Sequence, residues 1–328
     1  MKYRELGKTG IKVSEISLGT WQVGGKWGST FDMKNAEAIL NRAIDKGVNF
    51  IDTADVYGDR LSEKAVGNIV KQRKEKIYVA TKAGRRINPH IAEGYTPDVV
   101  EKFVDESLQN MGLDTIDLIQ LHCPPTEVYG KPEIFERLDE LKKKGKIQHY
   151  GSSVETMEEA HMALKYPGNE TIQVIFNMFR LKPVEELFNK TEKNRTGFII
   201  RVPLASGLLS GKYSIDTVFD KHDHRHFNRN GLFFDKGETF SGVDYKKGIE
   251  AVEELKTFFN VSDNLYQYAI RWILMFDEVS CVIPGASRIE QVDSNLASVD
   301  LPAFTNEQMK KVEDIYNKYF KADIHHLW

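Results

Sequence analysis

The chain has 328 residues, of which 41% are hydrophobic and 28% charged, and its formal net charge at pH 7 is −3. The composition is ordinary for a soluble globular protein, and the lack of a basic surplus argues against binding to nucleic acid or an anionic membrane. No apolar run of about 18 residues predicts a membrane span, and the first residues lack the apolar core of a signal peptide. The two cysteines, Cys123 and Cys281, form no zinc-binding spacing and are typical of a reducing compartment, so we expect a cytoplasmic protein.

Strand and helix patterns alternate along the chain after an initial hairpin. Residues 3–14 predict that hairpin, with its turn at Gly7-Lys8-Thr9-Gly10. Short apolar segments predict eight strands, at residues 16–19, 49–52, 77–81, 116–121, 147–151, 172–176, 198–202 and 280–283. Amphipathic patterns predict helices between them, at residues 35–45, 62–72, 97–111, 132–143, 156–166, 184–191 and in a long run that ends near residue 276. Two further helices, at residues 289–297 and 306–319, follow the last strand.

This alternation of eight strands with helices predicts the α/β class and a parallel sheet closed into a (β/α)8 TIM barrel with an N-terminal β-hairpin. A doubly wound open sheet is the alternative, but no G-x-G-x-x-G motif follows the first strand. Residues 206–244 are long, polar and rich in Gly, Asp, His and Arg, so we expect a functional insertion loop after the seventh strand. Such barrels commonly exceed 250 residues as one unit, and we therefore expect a single domain over residues 1–328.

Polar side chains occupy or follow the ends of three successive predicted strands. Asp52 ends one strand, Lys82 follows the next, His122 follows the third, and Tyr57 lies in the turn after Asp52. Because strand carboxyl ends converge on one face of a barrel, we expect these four side chains to meet. A buried Asp52 needs a partner, and Lys82 can supply it.

This arrangement predicts acid–base chemistry. An ammonium near Tyr57 would favour the phenolate and lower the pKa of the tyrosine from about 10, which would make it a general acid or base near neutral pH. His122 can hydrogen bond to the same substrate oxygen. Each residue alone also has a structural interpretation, as a cap, a surface group or a packing tyrosine. Four such groups on three successive barrel strands are much less readily explained in that way.

The segments that carry these residues resemble the aldo-keto reductase superfamily. They are FIDTADVYG at residues 50–58, the lysine at the end of the next strand, and the LH pair after the fourth strand. The opening RELGKTGIKVSEISLGTW also resembles that family, so the resemblance covers nearly the whole chain and is nearest to the bacterial oxidoreductases related to aryl-alcohol dehydrogenases. It implies reversible NADP(H)-dependent reduction of aldehydes and ketones, with Tyr57 as the proton donor, Lys82 and Asp52 tuning it, and His122 orienting the substrate.

The resemblance also implies a nicotinamide cofactor that is bound without a Rossmann fold across the mouth of the barrel. Ser153, with Ser152 as its neighbour, and Gln173 stand where the family holds the carboxamide, while Val154 replaces an asparagine of the family. Arg201 stands where many relatives stack an aromatic ring on the nicotinamide, and a guanidinium plane can stack as well. The structural alternatives are turn hydroxyls and a surface glutamine.

Two loops predict phosphate binding. The small, glycine-rich segment at residues 201–213 can cradle a pyrophosphate with its backbone N–H groups. Residues 283–295 open a helix whose N-terminus, with Arg288, is a good phosphate site, although an arginine in a solvated first turn is the alternative. By resemblance this is the adenosine end, where Arg288 would pair with a 2′-phosphate and favour NADP over NAD. The residues assigned to cofactor binding are Gly19, Thr20, Trp21, Ser152, Ser153, Gln173, Arg201, Pro203, Leu204, Ser206, Gly207, Leu209, Lys212, Ile283, Gly285, Ala286, Ser287, Arg288, Gln291 and Asn295.

Three features outside these motifs need an interpretation. His222, His224 and His226 alternate with Asp223 and Arg225 in a loop, which does not resemble a metal site, and we expect no metal. The resemblance implies instead that this loop folds over the cofactor or substrate. The residues at 325–328 are tag-like, a pocket lid or a loose end. Candidates for an apolar pocket wall are Trp21, Trp27, Met178 and Phe179, each of which is equally compatible with a place in the core.

Two other functions are compatible with the motifs. Some relatives are regulatory subunits that sense the nicotinamide redox state with little turnover. A barrel lyase or aldolase would use Lys82 as a Schiff-base lysine, but pairing with Asp52 would keep that lysine charged. The partner expected here is a small carbonyl substrate, and the oligomeric state expected is a monomer or a weak homo-oligomer.

Overall fold

The structure, a computed structural model, describes residues 1–25, 29–191 and 195–328. Over these residues the strands form two sheets. Tyr3–Glu5 (β1) and Lys12–Ser14 (β2) pair in antiparallel fashion as a hairpin. The second sheet is parallel and follows the chain order, with the strands Leu18–Gly19 (β3), Phe50–Asp52 (β4), Tyr78–Ala83 (β5), Ile116–His122 (β6), Ile147–Ser153 (β7), Asn169–Ile175 (β8), Gly197–Arg201 (β9) and Val279–Val282 (β10).

The parallel sheet closes on itself. Ile16 bridges Val282 and Gly19 bridges Gly285, both in parallel orientation, so the first strand lies beside the last. The N–H of Ser17 donates to the carbonyl of Val282 at 2.8 Å, which adds a hydrogen bond to the closure. The predicted (β/α)8 barrel with an N-terminal hairpin is therefore confirmed, and the open-sheet alternative is wrong.

Helices surround the barrel at the predicted places, and two short ones, at residues 224–227 and 321–324, lie where none is predicted. Three of them, at residues 97–111, 132–143 and 306–319, have the predicted bounds. The helices are Met33–Asp45 (α1), Leu61–Gln72 (α2), Pro97–Met111 (α3), Pro132–Lys143 (α4), Met157–Ala163 (α5), Lys182–Glu186 (α6), His224–Phe227 (α7), Tyr245–Phe259 (α8), Leu265–Ile273 (α9), Ile289–Leu296 (α10), Asn306–Tyr319 (α11) and Lys321–Ile324 (α12). No helix among the described residues is long and apolar enough to cross a membrane.

The remaining helices correct the prediction in their extents. The long run that ends near residue 276 is two helices, because Asn260 adopts a left-handed φ of 53° and ends α8. The prediction at residues 156–166 is too long at both ends: Thr156 is the N-cap of α5 and accepts from the N–H of Glu159, and the helix ends at Ala163 with Leu164 as its C-cap. The helix predicted at residues 184–191 is also too long, because Leu187, with φ −118° and ψ −58°, separates α6 from a single turn at Phe188–Lys190.

The barrel interior is filled by side chains from alternating strand positions. The level nearer the amino ends of the strands is an apolar layer in which residues of the hairpin and of the barrel strands pack together. Its members are Leu6, Ile11, Val13, Phe50, Ala80, Leu118, Ile199, Cys281 and Ile283. Because side chains of a strand alternate between its two faces, the residues two positions later on the same strands form the next level toward the carboxyl ends. Asp52, Lys82 and Gln120 occupy that level, directly above Phe50, Ala80 and Leu118.

Leu6, between β1 and β2, is one of the hairpin residues that belong to this apolar layer. It is fully buried against the start of β9, where a Cβ added at Gly197 would lie 2.8 Å from the Cδ1 of Leu6. We expect Leu6→Ala to lower the free energy of unfolding by about 2–5 kcal/mol, because it leaves a cavity beneath the barrel. Urea unfolding measures this. Val218→Ala is the control, because Val218 is 91% exposed and its truncation should cost less than about 0.5 kcal/mol. Equal values for the two variants would mean that the hairpin does not stabilise the core.

Candidate active site

Asp52 and Lys82 form a buried ion pair at the carboxyl end of the barrel. They are 2% and 1% exposed, and the ammonium of Lys82 donates to Oδ1 of Asp52. The same ammonium donates to the carbonyl of Thr53 at 2.8 Å and to the hydroxyl oxygen of Tyr57 at 3.3 Å. Burial disfavours the ammonium, but the charge of Asp52 and the oxygen of Tyr57 outweigh it, so the pKa of Lys82 is raised. The predicted pairing of Asp52 with Lys82 is confirmed.

The pKa of Tyr57 differs from the expectation. Burial raises it, and although the Lys82 ammonium lowers it, the carboxylates of Asp52 and Glu238 raise it again, so the net direction is upward. The expectation of a lowered pKa is therefore wrong, because desolvation of the phenol outweighs the attraction of a single cation that is itself paired with an acid. Tyr57 is therefore protonated near neutral pH, as a proton donor must be before it can act.

His122 lies against the edge of the Tyr57 ring. The ring centroids are 6.1 Å apart and the planes are nearly perpendicular, at 87°. Burial lowers the pKa of His122 well below its usual range, and the nearby cations Lys82, Arg85 and Arg201 lower it further. The imidazole is therefore neutral at physiological pH and presents one N–H donor and one acceptor nitrogen. It is suited to orient an oxygen atom rather than to deliver a proton.

A cleft of about 380 Å³ opens above these residues at the carboxyl ends of the strands. Tyr57, Asp52 and His122 line it, while Lys82 lies beneath it. The predicted cofactor residues that line the cleft are Gly19, Thr20, Trp21, Ser153, Gln173, Arg201, Pro203, Leu204, Ser206, Gly207, Lys212, Ile283, Gly285, Arg288, Gln291 and Asn295. The sequence analysis did not assign the following lining residues individually to the cofactor, although most lie in segments that it named: Gln22, Val202, Ser210, Tyr213, His224, Arg225, Glu238, Tyr266, Pro284, Glu290 and Ser294. Most of these residues belong to the same loops as the predicted residues. Their position in the sequence next to predicted cofactor residues is therefore the signal that could have identified them.

Four residues assigned to the cofactor do not line the cleft. Ser152 is fully buried, and its hydroxyl donates to Oδ1 of Asn169 at 2.8 Å, because neighbouring residues of a strand face opposite sides and Ser153 takes the cleft side. Leu209 and Ala286 are fully buried in the apolar core.

Ser287 is the fourth. Its N–H and its hydroxyl both donate to Oε1 of Gln291, at 2.7 and 3.1 Å, so its polar groups order the turn before α10. Asn295 acts in the same region, donating to the carbonyl of Gly285 at 3.3 Å. Arg288 extends outward from this turn, 62% exposed, with its Nε 3.8 Å from a carboxylate oxygen of Glu290.

Arg201 is bound by two carboxylates at the wall of the cleft. Its guanidinium donates to Glu238, to Oε2 of Glu155 at 3.0 Å and to the carbonyl of Val154 at 3.0 Å. Burial disfavours its charge, but the opposing carboxylates outweigh burial, and the pKa of Arg201 lies well above its usual value. The guanidinium is therefore held in place by ion pairs. The sequence analysis, which proposed from the resemblance that Arg201 stacks on the nicotinamide, did not predict these ion pairs.

The long loop at residues 206–244 packs onto the barrel through short turns and α7. The hydroxyl of Ser206 donates to the carbonyl of Glu238 at 2.9 Å and accepts from the N–H of Phe240 at 3.0 Å, which joins the two ends of the loop. His224 is buried, with its ring 4.9 Å from that of Trp21, whereas His222 and His226 are exposed. The three histidines therefore do not share one site.

The last residues of the chain pack against this loop. The indole N–H of Trp328 donates to Oδ1 of Asp235 at 3.0 Å, and its ring lies 4.1 Å from the guanidinium carbon of Arg180. The loose-end interpretation is wrong for Trp328.

Met178 and Phe179 are buried in the core and do not line the cleft, which corrects their assignment to its wall. Trp27 lies outside the described residues.

The fold and the converging side chains define a (β/α)8 barrel with an acid–base site beside a large cleft. A family model described as the aldo/keto reductase family matches residues 15–317. The oxidoreductase YqkF of Bacillus subtilis is 30% identical over 328 residues, which cover 97% of this chain and 99% of that protein. A probable voltage-gated potassium channel subunit beta of Arabidopsis thaliana is 30% identical over 340 residues, with 96% of each chain covered. The solved holo form of the aldo-keto reductase AKR11C1 from Bacillus halodurans is 27% identical, with 96% of both chains covered and a TM-score of 0.77.

The chain belongs to the aldo/keto reductase family. This is a family of oxidoreductases that use a nicotinamide cofactor and act on small carbonyl compounds.

Asp55, which the sequence analysis did not single out, is a buried acid between Asp52 and Tyr57. It is 2% exposed, and no side chain among the described residues donates to its carboxylate oxygens. The backbone N–H of Val56 and the charges of Arg86 and Arg60 offset its burial only in part. Burial, helped by the nearby charge of Glu63, raises the pKa of Asp55 to about 7. An unfolded aspartate has a pKa of about 3.9, so the folded state binds more protons between these two values. The free energy of unfolding should therefore fall as the pH rises through this window.

We expect Asp55→Asn to remove that part of the pH dependence, since an amide does not titrate. The variant should be more stable than the natural protein at pH 8 and closer to it at pH 5. Urea unfolding at pH 5, 6.5 and 8 measures the difference. Asp114→Asn, at an exposed position, is the control and should keep the natural slope. An unchanged slope in Asp55→Asn would show that Asp55 is ionised in the folded protein throughout.

Proposed function

We propose that this protein catalyses the reversible, NADP(H)-dependent reduction of aldehydes and ketones to alcohols. The observation that carries the proposal is the hydrogen bond of 3.3 Å from the buried Lys82 ammonium to the hydroxyl of Tyr57, at the wall of the cleft. A phenol whose conjugate base would lie next to a fixed cation is a suitable proton donor to an oxygen that becomes an alkoxide. When bound, a nicotinamide supplies the hydride that reduces the carbonyl carbon.

Each residue of the site has a separate role in this proposal. Tyr57 donates its proton to the carbonyl oxygen in reduction and takes it back in alcohol oxidation. Lys82 stabilises the tyrosinate that forms when the proton leaves, and Asp52 keeps Lys82 charged and in position. His122, neutral because of its burial and the surrounding cations, hydrogen bonds to the substrate oxygen and aligns it.

The residues that line the cleft support the proposal that a dinucleotide binds along its length. Ser153 and Gln173 lie at the end beside Tyr57 and would hold the nicotinamide carboxamide, and Oε1 of Gln173 has no donor among the described residues. Gly207 and its neighbours would contact the pyrophosphate through the backbone. Arg288, exposed and only loosely paired, would bind a 2′-phosphate and thereby favour NADP.

The two alternative functions are less well supported. A regulatory subunit with little turnover does not require the complete set of acid–base residues found here; the Arabidopsis relative is named as a channel subunit. A Schiff-base role for Lys82 requires a neutral amine, whereas the Asp52 carboxylate and the raised pKa keep this lysine protonated. Consumption of NADPH with an aromatic aldehyde separates the reductase from the regulatory subunit, and borohydride trapping tests the Schiff base.

We expect Tyr57→Phe to lower kcat by roughly 100-fold to 10,000-fold, the usual contribution of a positioned proton donor. The dissociation constant for NADPH should change less than about twofold, because the ring and its packing remain. Turnover is measured at the nicotinamide absorbance and binding by fluorescence quenching. The control is Tyr166→Phe, whose hydroxyl donates to the carbonyl of Tyr129 away from the cleft. Parallel losses of turnover and binding in Tyr57→Phe would assign the tyrosine a structural role.

The cofactor preference is tested at Arg288. Loss of a charge-assisted hydrogen bond of about 1.5–3 kcal/mol should weaken NADPH binding by roughly 10-fold to 100-fold in Arg288→Ala. Binding of NADH, which lacks the 2′-phosphate, should be nearly unchanged. Arg271→Ala, near the hairpin at the other end of the barrel, should alter neither constant. A preference for NADPH that survives Arg288→Ala would refute this role.

A further inference from the structure

Gln120 is a buried polar residue that the proposed mechanism does not use. It is fully buried on β6 and does not line the cleft. Its Nε2 donates to Oδ2 of Asp52 at 3.0 Å, and its Oε1 accepts from Nε2 of Gln173 at 3.2 Å. Nε2 of Gln173 also donates to Oδ2 of Asp52, at 2.8 Å. The three side chains thus form a closed triangle of hydrogen bonds beneath the cleft.

The chemistry of the three groups determines how the amides are oriented. An ionised carboxylate only accepts, so both glutamines must turn an NH₂ group toward Asp52. Gln120 then has only its carbonyl oxygen to offer Gln173, and the two N–H bonds of Gln173 are divided between Asp52 and Gln120. Attachment at two points fixes the plane of the Gln173 amide. The remaining atom, Oε1 of Gln173, has no donor among the described residues, on a side chain that lines the cleft.

We infer that Gln120 is a positioning residue that makes Gln173 present a fixed hydrogen-bond acceptor to the cleft, so that the site selects a cofactor head group with an amide N–H. The inference rests on the proposed function, which assigns the nicotinamide carboxamide to Gln173. Without the oxygen of Gln120, the amide of Gln173 turns about its remaining bond to Asp52. Its second N–H then becomes available to the cleft, and the site accepts a head group that carries a carbonyl oxygen alone.

Equilibrium binding of three probes tests this without turnover. NADPH carries the carboxamide, its reduced 3-acetylpyridine analogue carries a methyl ketone in its place, and 2′,5′-ADP has no nicotinamide at all. Since one hydrogen bond contributes about tenfold in affinity, we expect the natural protein to bind NADPH about tenfold more tightly than the analogue. In Gln120→Met this ratio should fall to within about twofold. The affinity for 2′,5′-ADP should remain unchanged, because it reports on the far end of the cleft.

Two further variants separate positioning from damage to the core. Leu118→Met changes the interior residue one level below Gln120 on the same strand and should keep the natural ratio. Gln120→Glu, protonated beside Asp52, retains one donor and one acceptor and should also keep the ratio. A simple packing defect would instead weaken all three probes together in Gln120→Met.

The outcomes are distinct from a failure of the proposed function. A ratio that persists in Gln120→Met overturns the role of Gln120, as does a natural protein that binds NADPH and the acetyl analogue equally, a result that needs no variant. If the natural protein discriminates between the two but reduces no carbonyl compound, the enzymatic proposal fails while the role of Gln120 stands. If it binds none of the three probes, both proposals are wrong.

Discussion

The buried ion pair between Asp52 and Lys82 is the constraint on which the rest of the site depends. Removing two charges from water costs several kcal/mol for each, and the cost is offset only when the geometry is good and the remaining donors and acceptors are satisfied. Here the ammonium has three acceptors, and the second carboxylate oxygen has two amide donors. Every neighbour of the pair is thereby held in one place. One of those neighbours is the hydroxyl of Tyr57.

The same strands provide the stability and the chemistry, one level apart. Phe50, Ala80 and Leu118 pack with the hairpin into the apolar layer at the bottom of the barrel. Two residues further along each strand, the side chains point into the barrel again, now near its mouth. Asp52 and Lys82 can be buried at this level because their opposite charges pair with each other. This division agrees with the general behaviour of such barrels, in which catalytic groups stand at the carboxyl ends of the strands and the opposite end contributes stability.

Much of this architecture follows from local patterns, and the exceptions have physical reasons. Alternating apolar segments predict the barrel because each strand is buried on both faces, and the polar residues at strand ends predict where the side chains converge. Which of Ser152 and Ser153 faces the cleft depends on strand phase, which a one-residue uncertainty reverses. The pair between Arg201 and Glu238 joins residues 37 apart in the chain through a loop without periodicity. The pKa of Tyr57 depends on a balance between burial and charge that requires distances.

The electrostatics also explain why the roles proposed for Tyr57 and His122 differ although the two side chains lie side by side. His122 is surrounded by Lys82, Arg85 and Arg201, and their combined charge adds to burial in keeping the imidazole neutral. Tyr57 experiences one of these cations at hydrogen-bond distance together with the opposing charges of Asp52 and Glu238, so its proton stays in place until an acceptor arrives. The ammonium becomes fully effective only once the phenol has ionised, because attraction between opposite charges then replaces a weaker ion–dipole contact. In the proposed reaction this stabilisation would therefore increase along the path of proton transfer, which is the condition under which an interaction accelerates a reaction rather than merely tightening binding.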